Sequence, residues 1–118
     1  MGKGKNIMNT NNATITEWEQ FRTDETRQVE NILRKDFQSV DAYRYNSASL
    51  RLRIIDPSFK GLSREDRDDL VEPKLSKLDR NTQADIINLV LLYPDETKDS
   101  FRAYLNNYDF DHPSKSML

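Results

Sequence analysis

Cysteine is absent from the 118-residue sequence, and histidine occurs once. Without thiol groups the chain forms no disulfide, has no cysteine nucleophile and offers no thiolate ligand to an iron–sulfur cluster. The only histidine, His112, lies in a polar stretch next to Pro113, so we expect no Ser–His–Asp catalytic set. A cysteine-free chain is typical of a reducing compartment, and we therefore expect a cytoplasmic protein.

Long apolar runs and an excess of one charge are also missing. No apolar run approaches the ~20 residues that cross a bilayer, and no signal-peptide pattern follows the start of the sequence. The 18 Lys and Arg side chains are nearly balanced by 20 Asp and Glu, which leaves a formal net charge of −2. A chain without a basic surplus is not expected to bind nucleic acid strongly. We therefore expect no membrane partner, and nucleic acid only as a weak ligand.

The length of the chain is that of a single domain. Residues 1–13 and 112–118 are polar and carry few apolar side chains, which predicts a disordered leader and a flexible tail. Residues 14–111 then form one domain, which is long enough to bury a modest core.

The first half of this domain has the pattern of a helix followed by a hairpin. Apolar residues at helical spacing predict a helix over 18–37, which begins either at Thr16 or at Thr23. Residues 40–45 are rich in strand-forming types, and residues 50–55, "LRLRII", alternate between apolar and charged. The two segments are predicted to pair across a tight turn.

The second half of the domain alternates between helix and strand. Ser63 is a good N-cap for a second helix, and a short third helix precedes the apolar run 86–93, which predicts a buried strand. Asp95 begins a last helix. Its predicted inner face consists of Phe101, Tyr104, Leu105 and Tyr108. The order αββααβα predicts the α+β class, with a three-stranded mixed sheet and helices packed on one face.

A short pattern, Phe59-x-Gly61-x-Ser63, connects the hairpin to the second helix. Phe59 is expected to pack under the sheet edge, Gly61 to adopt a positive φ and Ser63 to cap the helix. Pro94 stops the last strand and lies in the sequence Tyr-Pro-Asp-Glu. These four residues are predicted to have structural roles.

The order and spacing of these motifs over about 23–101 resemble the BolA family. That family has Phe-x-Gly-x-Ser after its second strand, an Arg-His pair in the following helix, and Thr-Pro-Glu-Glu after its last strand. The resemblance implies a BolA-like fold, related to the class II KH arrangement. It also implies an iron–sulfur cluster shared with a monothiol glutaredoxin as the partner.

This chain departs from the family at the cluster ligands. Arg67 is followed by Asp68, where the family has the ligand histidine, and the loop 46–49 contains neither His nor Cys. A carboxylate is a poor ligand for a thiophilic cluster. We therefore predict no metal site and no cofactor, and a glutaredoxin partner becomes doubtful.

The start of the second helix is the predicted partner-binding edge. It carries Arg64, Arg67, Asp68 and Asp69. Ion pairs at i, i+4 spacing, such as Arg64 with Asp68, are the alternative reading, and surface pairs of this kind contribute little stability.

The hairpin carries a predicted basic patch. Arg51 and Arg53, together with Arg44 on the neighbouring strand, are expected on an open sheet face near Tyr43 and Tyr45. Basic and aromatic side chains on a sheet bind single-stranded nucleic acid by charge and stacking. Solvated arginines are the alternative interpretation, because the Gly-x-x-Gly loop of nucleic-acid-binding KH domains is missing.

No set of residues predicts catalysis, so we expect the chain not to be an enzyme. The leading hypothesis is a non-enzymatic regulatory or protein-interaction module of the BolA-like type. A weak nucleic-acid-binding module is the alternative, and a small acid-rich enzyme is a third reading.

Overall fold

The computed structural model describes residues 17–116, which form an α+β domain with helices packed against a three-stranded mixed sheet. This confirms the predicted fold class. The strands are β1 (Ser39–Asn46), β2 (Ser49–Ile55) and β3 (Ile86–Leu92). The α-helices are α1 (Asp24–Leu33), α2 (Arg64–Leu75), α3 (Arg80–Asp85), α4 (Glu96–Asp99) and α5 (Phe101–Asp111). Residues 17–116 also contain 3-10 helices at Glu17–Phe21 and Pro57–Phe59.

The sheet has the order β1-β2-β3, with β2 in the centre. β1 and β2 form the predicted antiparallel hairpin, in which Tyr43 pairs with Arg51 and Asp41 with Arg53. β3 runs parallel to β2. A parallel pair needs a crossover connection, and α2 and α3 lie within it in the sequence. Both β1 and β3 are edge strands.

One face of the sheet packs against α1 and α2. Strand residues two apart project from the same face of the sheet. The large side chains at the centre of this face are fully buried because the helices pack on them. This core contains Val29, Leu33, Phe37, Val40, Ala42, Leu50, Leu52, Ile54, Phe59, Val71, Leu78 and Leu91.

The opposite face is covered as well, by the first 3-10 helix and by α5. Its core contains Trp18, Tyr43, Val90, Leu92, Ala103 and Phe110. The rings of Tyr43 and Phe110 meet edge to face with centroids 4.8 Å apart, and Trp18 lies 5.5 Å from Phe110. The helices are therefore divided between two faces rather than gathered on one as predicted, because α5 crosses the sheet on the side away from α1.

Capping residues fix where the helices begin. Of the two predicted starts, Thr16 lies outside the described residues, whereas Thr23 caps α1 in a reciprocal pair of hydrogen bonds with Thr26. The segment before it is a 3-10 helix, so the predicted helical stripe is divided into two pieces. Ser63 caps α2 as predicted, with its hydroxyl accepting from the N–H of Asp66.

The predicted last helix is interrupted. Asp95 has a left-handed backbone with φ 68°, and α4 ends after one turn. Ser100 then caps a new helix, α5, by accepting a hydrogen bond from the N–H of Ala103. Because the helix restarts at Ser100, Ala103 and Phe110 face the sheet, and the four predicted inner residues do not.

Within residues 17–116, no helix combines the length and the apolar character needed to cross a membrane.

Candidate interaction surfaces

The predicted partner-binding edge at the start of α2 separates into exposed and buried residues. Arg64 and Asp68 form the expected i, i+4 ion pair, with Nε and Oδ1 3.0 Å apart on the surface. Asp69 is also exposed. Arg67, in contrast, is buried, with 8% of its surface exposed.

Arg67 joins α2 to the neighbouring segments. Its Nε donates to the carbonyl of Leu62, and its Nη1 donates to the carbonyl of Leu91 at 2.9 Å and to Glu96 Oε1 at 2.7 Å. Glu96 in turn accepts from the N–H of Tyr93. These contacts assign Arg67 a structural role that its place in a charged sequence does not reveal. They also leave little of its guanidinium for a partner.

The outer edge of β3 is covered by the same two arginines. The N–H of Asp56 donates to Leu92, so the carbonyl of Leu92 points toward β2. Carbonyls of successive strand residues point in opposite directions, which directs those of Leu89 and Leu91 outward. Arg64 Nη2 donates to the carbonyl of Leu89 at 2.9 Å, and Arg67 donates to that of Leu91. The edge is therefore occupied by side-chain donors.

A small pocket lies between α2, the edge of β3 and α5. Its volume is about 240 Å³, and it is lined by polar and apolar atoms in similar measure. Arg64, Arg67, Glu96, Ser100, Arg102 and Asn106 supply its polar side chains. Ligand pockets are commonly about 300–1,000 Å³, so this one is small. The ion pair between Arg67 and Glu96 neutralises part of its charge.

Arg44 is not part of the predicted basic patch. It projects from the face that packs against α1, where Nη2 lies 3.0 Å from Glu25 Oε1 and 2.6 Å from Asp85 Oδ2. Thr82 donates to the same glutamate. Arg44 pairs with Leu50 rather than with Arg51 in the hairpin register, and this register places it on the other face. The prediction that the three arginines share one face is wrong.

Arg51 and Arg53 do share a face, but α5 covers it. Arg53 is 8% exposed and contacts Asp41 Oδ2 at 2.8 Å and Asp111 Oδ1 at 2.6 Å. Arg51 lies over the ring of Tyr45 and 3.5 Å from Asp109 Oδ2. The predicted open basic surface is thus filled with arginine–carboxylate pairs from the same chain.

The four predicted structural residues occupy the expected places. Phe59 is fully buried, Gly61 has φ 83°, and Ser63 caps α2. Pro94 is the second residue after the end of β3. The segment between β2 and α2 is therefore a packed turn.

Comparison with known proteins gives no relative from which a function could be transferred. No family model matches the chain, and neither a curated protein nor a solved structure is significantly similar to it.

Among residues 17–116, four of the seven exposed large hydrophobic side chains lie on the outer side of α5. We call this surface the α5 stripe, and it consists of Phe101, Tyr104, Leu105 and Tyr108, which are 74%, 48%, 48% and 52% exposed. The spacing i, i+3, i+4, i+7 aligns them along one side of the helix. Adjacent rings are in contact range, with centroids 6.2 Å apart for Phe101 and Tyr104 and 6.1 Å for Tyr104 and Tyr108. These residues were predicted to face the core, and that prediction is wrong.

The stripe ends next to the only histidine. The His112 ring lies 4.3 Å from that of Tyr108, and its Nδ1 is 3.3 Å from Glu17 Oε1. His112 therefore extends the row of rings at the end of α5. Within residues 17–116, no cluster of His, Asp or Glu has the arrangement of a metal site.

The shifted pKa values belong to groups in structural contacts. Lys77 donates to Asp36 and, with Lys74, lowers the pKa of that carboxyl group. Burial raises the pKa of Tyr43, and the hydrogen bond that the Tyr93 hydroxyl donates to Asp99 raises the pKa of Tyr93. None of these groups lines the pocket between α2 and α5. Their positions indicate anchoring of the fold rather than a shared reactive site.

Proposed function

We propose that this chain is a non-enzymatic protein-interaction module that binds a helix of its partner on the α5 stripe. The observation that carries the proposal is the exposure of four large apolar side chains on one side of a helix. Aromatic residues are enriched in protein interfaces and depleted from free surfaces. The largest apolar patch on the surface of a protein domain is often functional.

The rest of the molecule supports a binding role over a chemical one. The titratable groups with shifted pKa values are scattered and are held by structural bonds. The polar atoms of the small pocket are partly neutralised by the ion pair between Arg67 and Glu96. A rigid α+β scaffold that presents one apolar helix face suits helix-to-helix recognition.

The BolA-like type of this module is part of the proposal. The order helix, hairpin, helix, short helix and strand over residues 24–92 supports it. Asp68, where the family has its ligand histidine, forms a surface ion pair with Arg64, which argues against a shared cluster. Titration with cluster-loaded monothiol glutaredoxin, followed by visible circular dichroism, tests this point. An unchanged spectrum is expected, and a new cluster spectrum would restore the family role.

The proposed surface is tested by comparing two leucine variants of the tagged full-length chain. Leu105→Glu places a charge in the α5 stripe, and Leu70→Glu places the same charge on α2, where Leu70 is similarly exposed at 43%. After cross-linking in cells, we expect Leu105→Glu to lose partner chains that Leu70→Glu retains, and quantitative mass spectrometry measures this. Equal capture by both variants would refute the stripe as the binding surface.

A further inference from the structure

We infer that the partner helix is α5 of a second copy of this chain, packed antiparallel against the first. This inference rests on the proposed function, since it assigns an occupant to the same α5 stripe. Three observations carry it: the symmetry of the stripe, the charges beside it and its area.

The α5 stripe is self-complementary under a two-fold axis. Its midpoint lies between Tyr104 and Leu105, with an aromatic residue one turn away on each side. When two such helices pack antiparallel about this midpoint, Phe101 of one copy meets Tyr108 of the other. Tyr104 likewise meets Leu105. A two-fold dimer requires one patch to complement itself in this way.

The charges along the stripe also favour the antiparallel orientation. Arg102 lies beside the beginning of the stripe, and Asp109 lies beside its end. Arg102 has no partner among residues 17–116, and Asp109 is more than half exposed, with only a long contact of 3.5 Å to Arg51. Antiparallel packing brings Arg102 of one copy toward Asp109 of the other. A parallel pair would instead bring like charges together.

The small area of the α5 stripe indicates a dimer of low affinity. Since a large aromatic side chain has about 200 Å² of surface, the four side chains of the stripe present at most about 450 Å². Two copies would bury about 900 Å², which is the size of a weak or transient interface. We therefore expect a reversible dimer with a Kd in the range of roughly 10–100 µM.

Sedimentation velocity of the full-length chain tests self-association. Between about 1 µM and about 1 mM, the weight-average sedimentation coefficient should rise from that of a monomer to that of a dimer. Leu105→Glu should raise the Kd by at least about tenfold, whereas Leu70→Glu should leave it unchanged. A monomer at every concentration would overturn the inference, as would a dimer that both variants retain.

The orientation is tested by disulfide trapping, which the cysteine-free sequence permits without background. Chains carrying Phe101→Cys are mixed with chains carrying Tyr108→Cys and oxidised near the measured Kd. Antiparallel packing gives the mixed disulfide as the main product, and mass spectrometry identifies it. Predominant joining of identical variants would indicate a parallel pair and contradict the proposed geometry.

A charge exchange provides an independent check of the same geometry. Arg102→Glu should weaken the dimer about three- to tenfold, and adding Asp109→Lys should restore most of the affinity. No restoration would contradict the antiparallel arrangement.

Failure of self-association and failure of the proposed function give different results. A monomeric chain whose Leu105→Glu variant loses partners that Leu70→Glu keeps would overturn only the inference of a second copy. A monomeric chain with equal capture by both variants would overturn both proposals.

Discussion

Single side chains determine how the connecting segments of this protein are held. Asp56 is an example, because its carboxylate accepts from the N–H and the hydroxyl of Ser58 and from the N–H of Gln38. It thereby ties the start of β1 to the end of β2. Burial works to raise the pKa of Asp56, but these hydrogen bonds outweigh it, so the pKa lies below its ordinary value of 3.8.

Replacing Asp56 by Asn removes one of its two acceptor oxygens and should lower the free energy of unfolding by about 1 kcal/mol at pH 7. Because the folded-state pKa is depressed, the stabilisation is present above the unfolded-state pKa of about 3.9 and is lost as the pH falls through the folded-state value. Urea unfolding of both proteins at pH 7 and pH 2.5 measures this. A difference that stays constant between the two pH values would contradict the assignment.

Arg53 is the residue whose role differs most from its prediction. Arg53→Met should lower the free energy of unfolding by about 3–5 kcal/mol, because it leaves Asp41 and Asp111 without their buried partner. Arg80→Met removes an exposed arginine and should cost less than about 0.5 kcal/mol. Denaturant unfolding compares them, and similar losses for both variants would show that Arg53 acts as a surface charge.

At the scale of the elements, α2 and the edge of β3 act as one unit. An edge strand presents unpaired backbone groups that can pair with other chains, and proteins commonly cover such edges. Here the cover is provided by arginine side chains from α2. The buried Arg67 is fixed in place by Glu96, whereas Arg64 is exposed.

Leucine variants of Arg64 and Arg67 distinguish the contributions of the two arginines to stability. Arg67→Leu should cost about 2–4 kcal/mol, since it leaves the carbonyl of Leu91 and the carboxylate of Glu96 without a donor. Arg64→Leu should cost about 0.5 kcal/mol or less, because its contacts are at the surface. Thermal unfolding shows which of the two variants is less stable, and light scattering detects aggregation through the uncovered edge of β3. If Arg64→Leu were the more damaging variant, the proposed division of roles would be incorrect.

The elements also show how far the sequence predicts the fold. Alternation in β2 and the caps at Thr23 and Ser63 predict their elements correctly, because these signals depend on neighbouring residues alone. The inner face of α5 is predicted incorrectly, because periodicity identifies an apolar stripe but does not say what covers it. Ala103 and Phe110 form a second, weaker apolar stripe, and this stripe packs on the sheet. The presence of apolar residues on two sides of the helix was the sequence signal that could have indicated this.

The candidate site was less predictable than the fold, because local sequence patterns do not show which distant elements pack together. Charged residues are usually solvated, so the burial of Arg53 and Arg67 depends on carboxylates that lie 58 and 29 positions away in the sequence. Such pairings arise only when distant elements pack together. The side of the sheet on which Arg44 lies depends on the hairpin register, and a shift of one residue reverses it.

At the scale of the whole molecule, the sheet has no open face within residues 17–116. Two cores lie on opposite sides of one sheet, and α5 closes the second of them. Exposed large apolar side chains within these residues are therefore concentrated on the outer side of α5, the helix that covers the second core. The same helix packs on the sheet with one side and carries the proposed binding surface on the other.

The packing of Trp18 against Phe110 joins the two ends of the described chain. Contacts between residues so distant in sequence form late in folding, because closing a long loop costs entropy. The second core should consequently be the last part to assemble and the first to open. Phe110→Leu should then accelerate unfolding while leaving the folding rate nearly unchanged. Stopped-flow fluorescence of Trp18, the only tryptophan, can follow both rates. The lifetime of the native state would thus be set by how long α5 stays in place, and dimerisation through that helix would lengthen it.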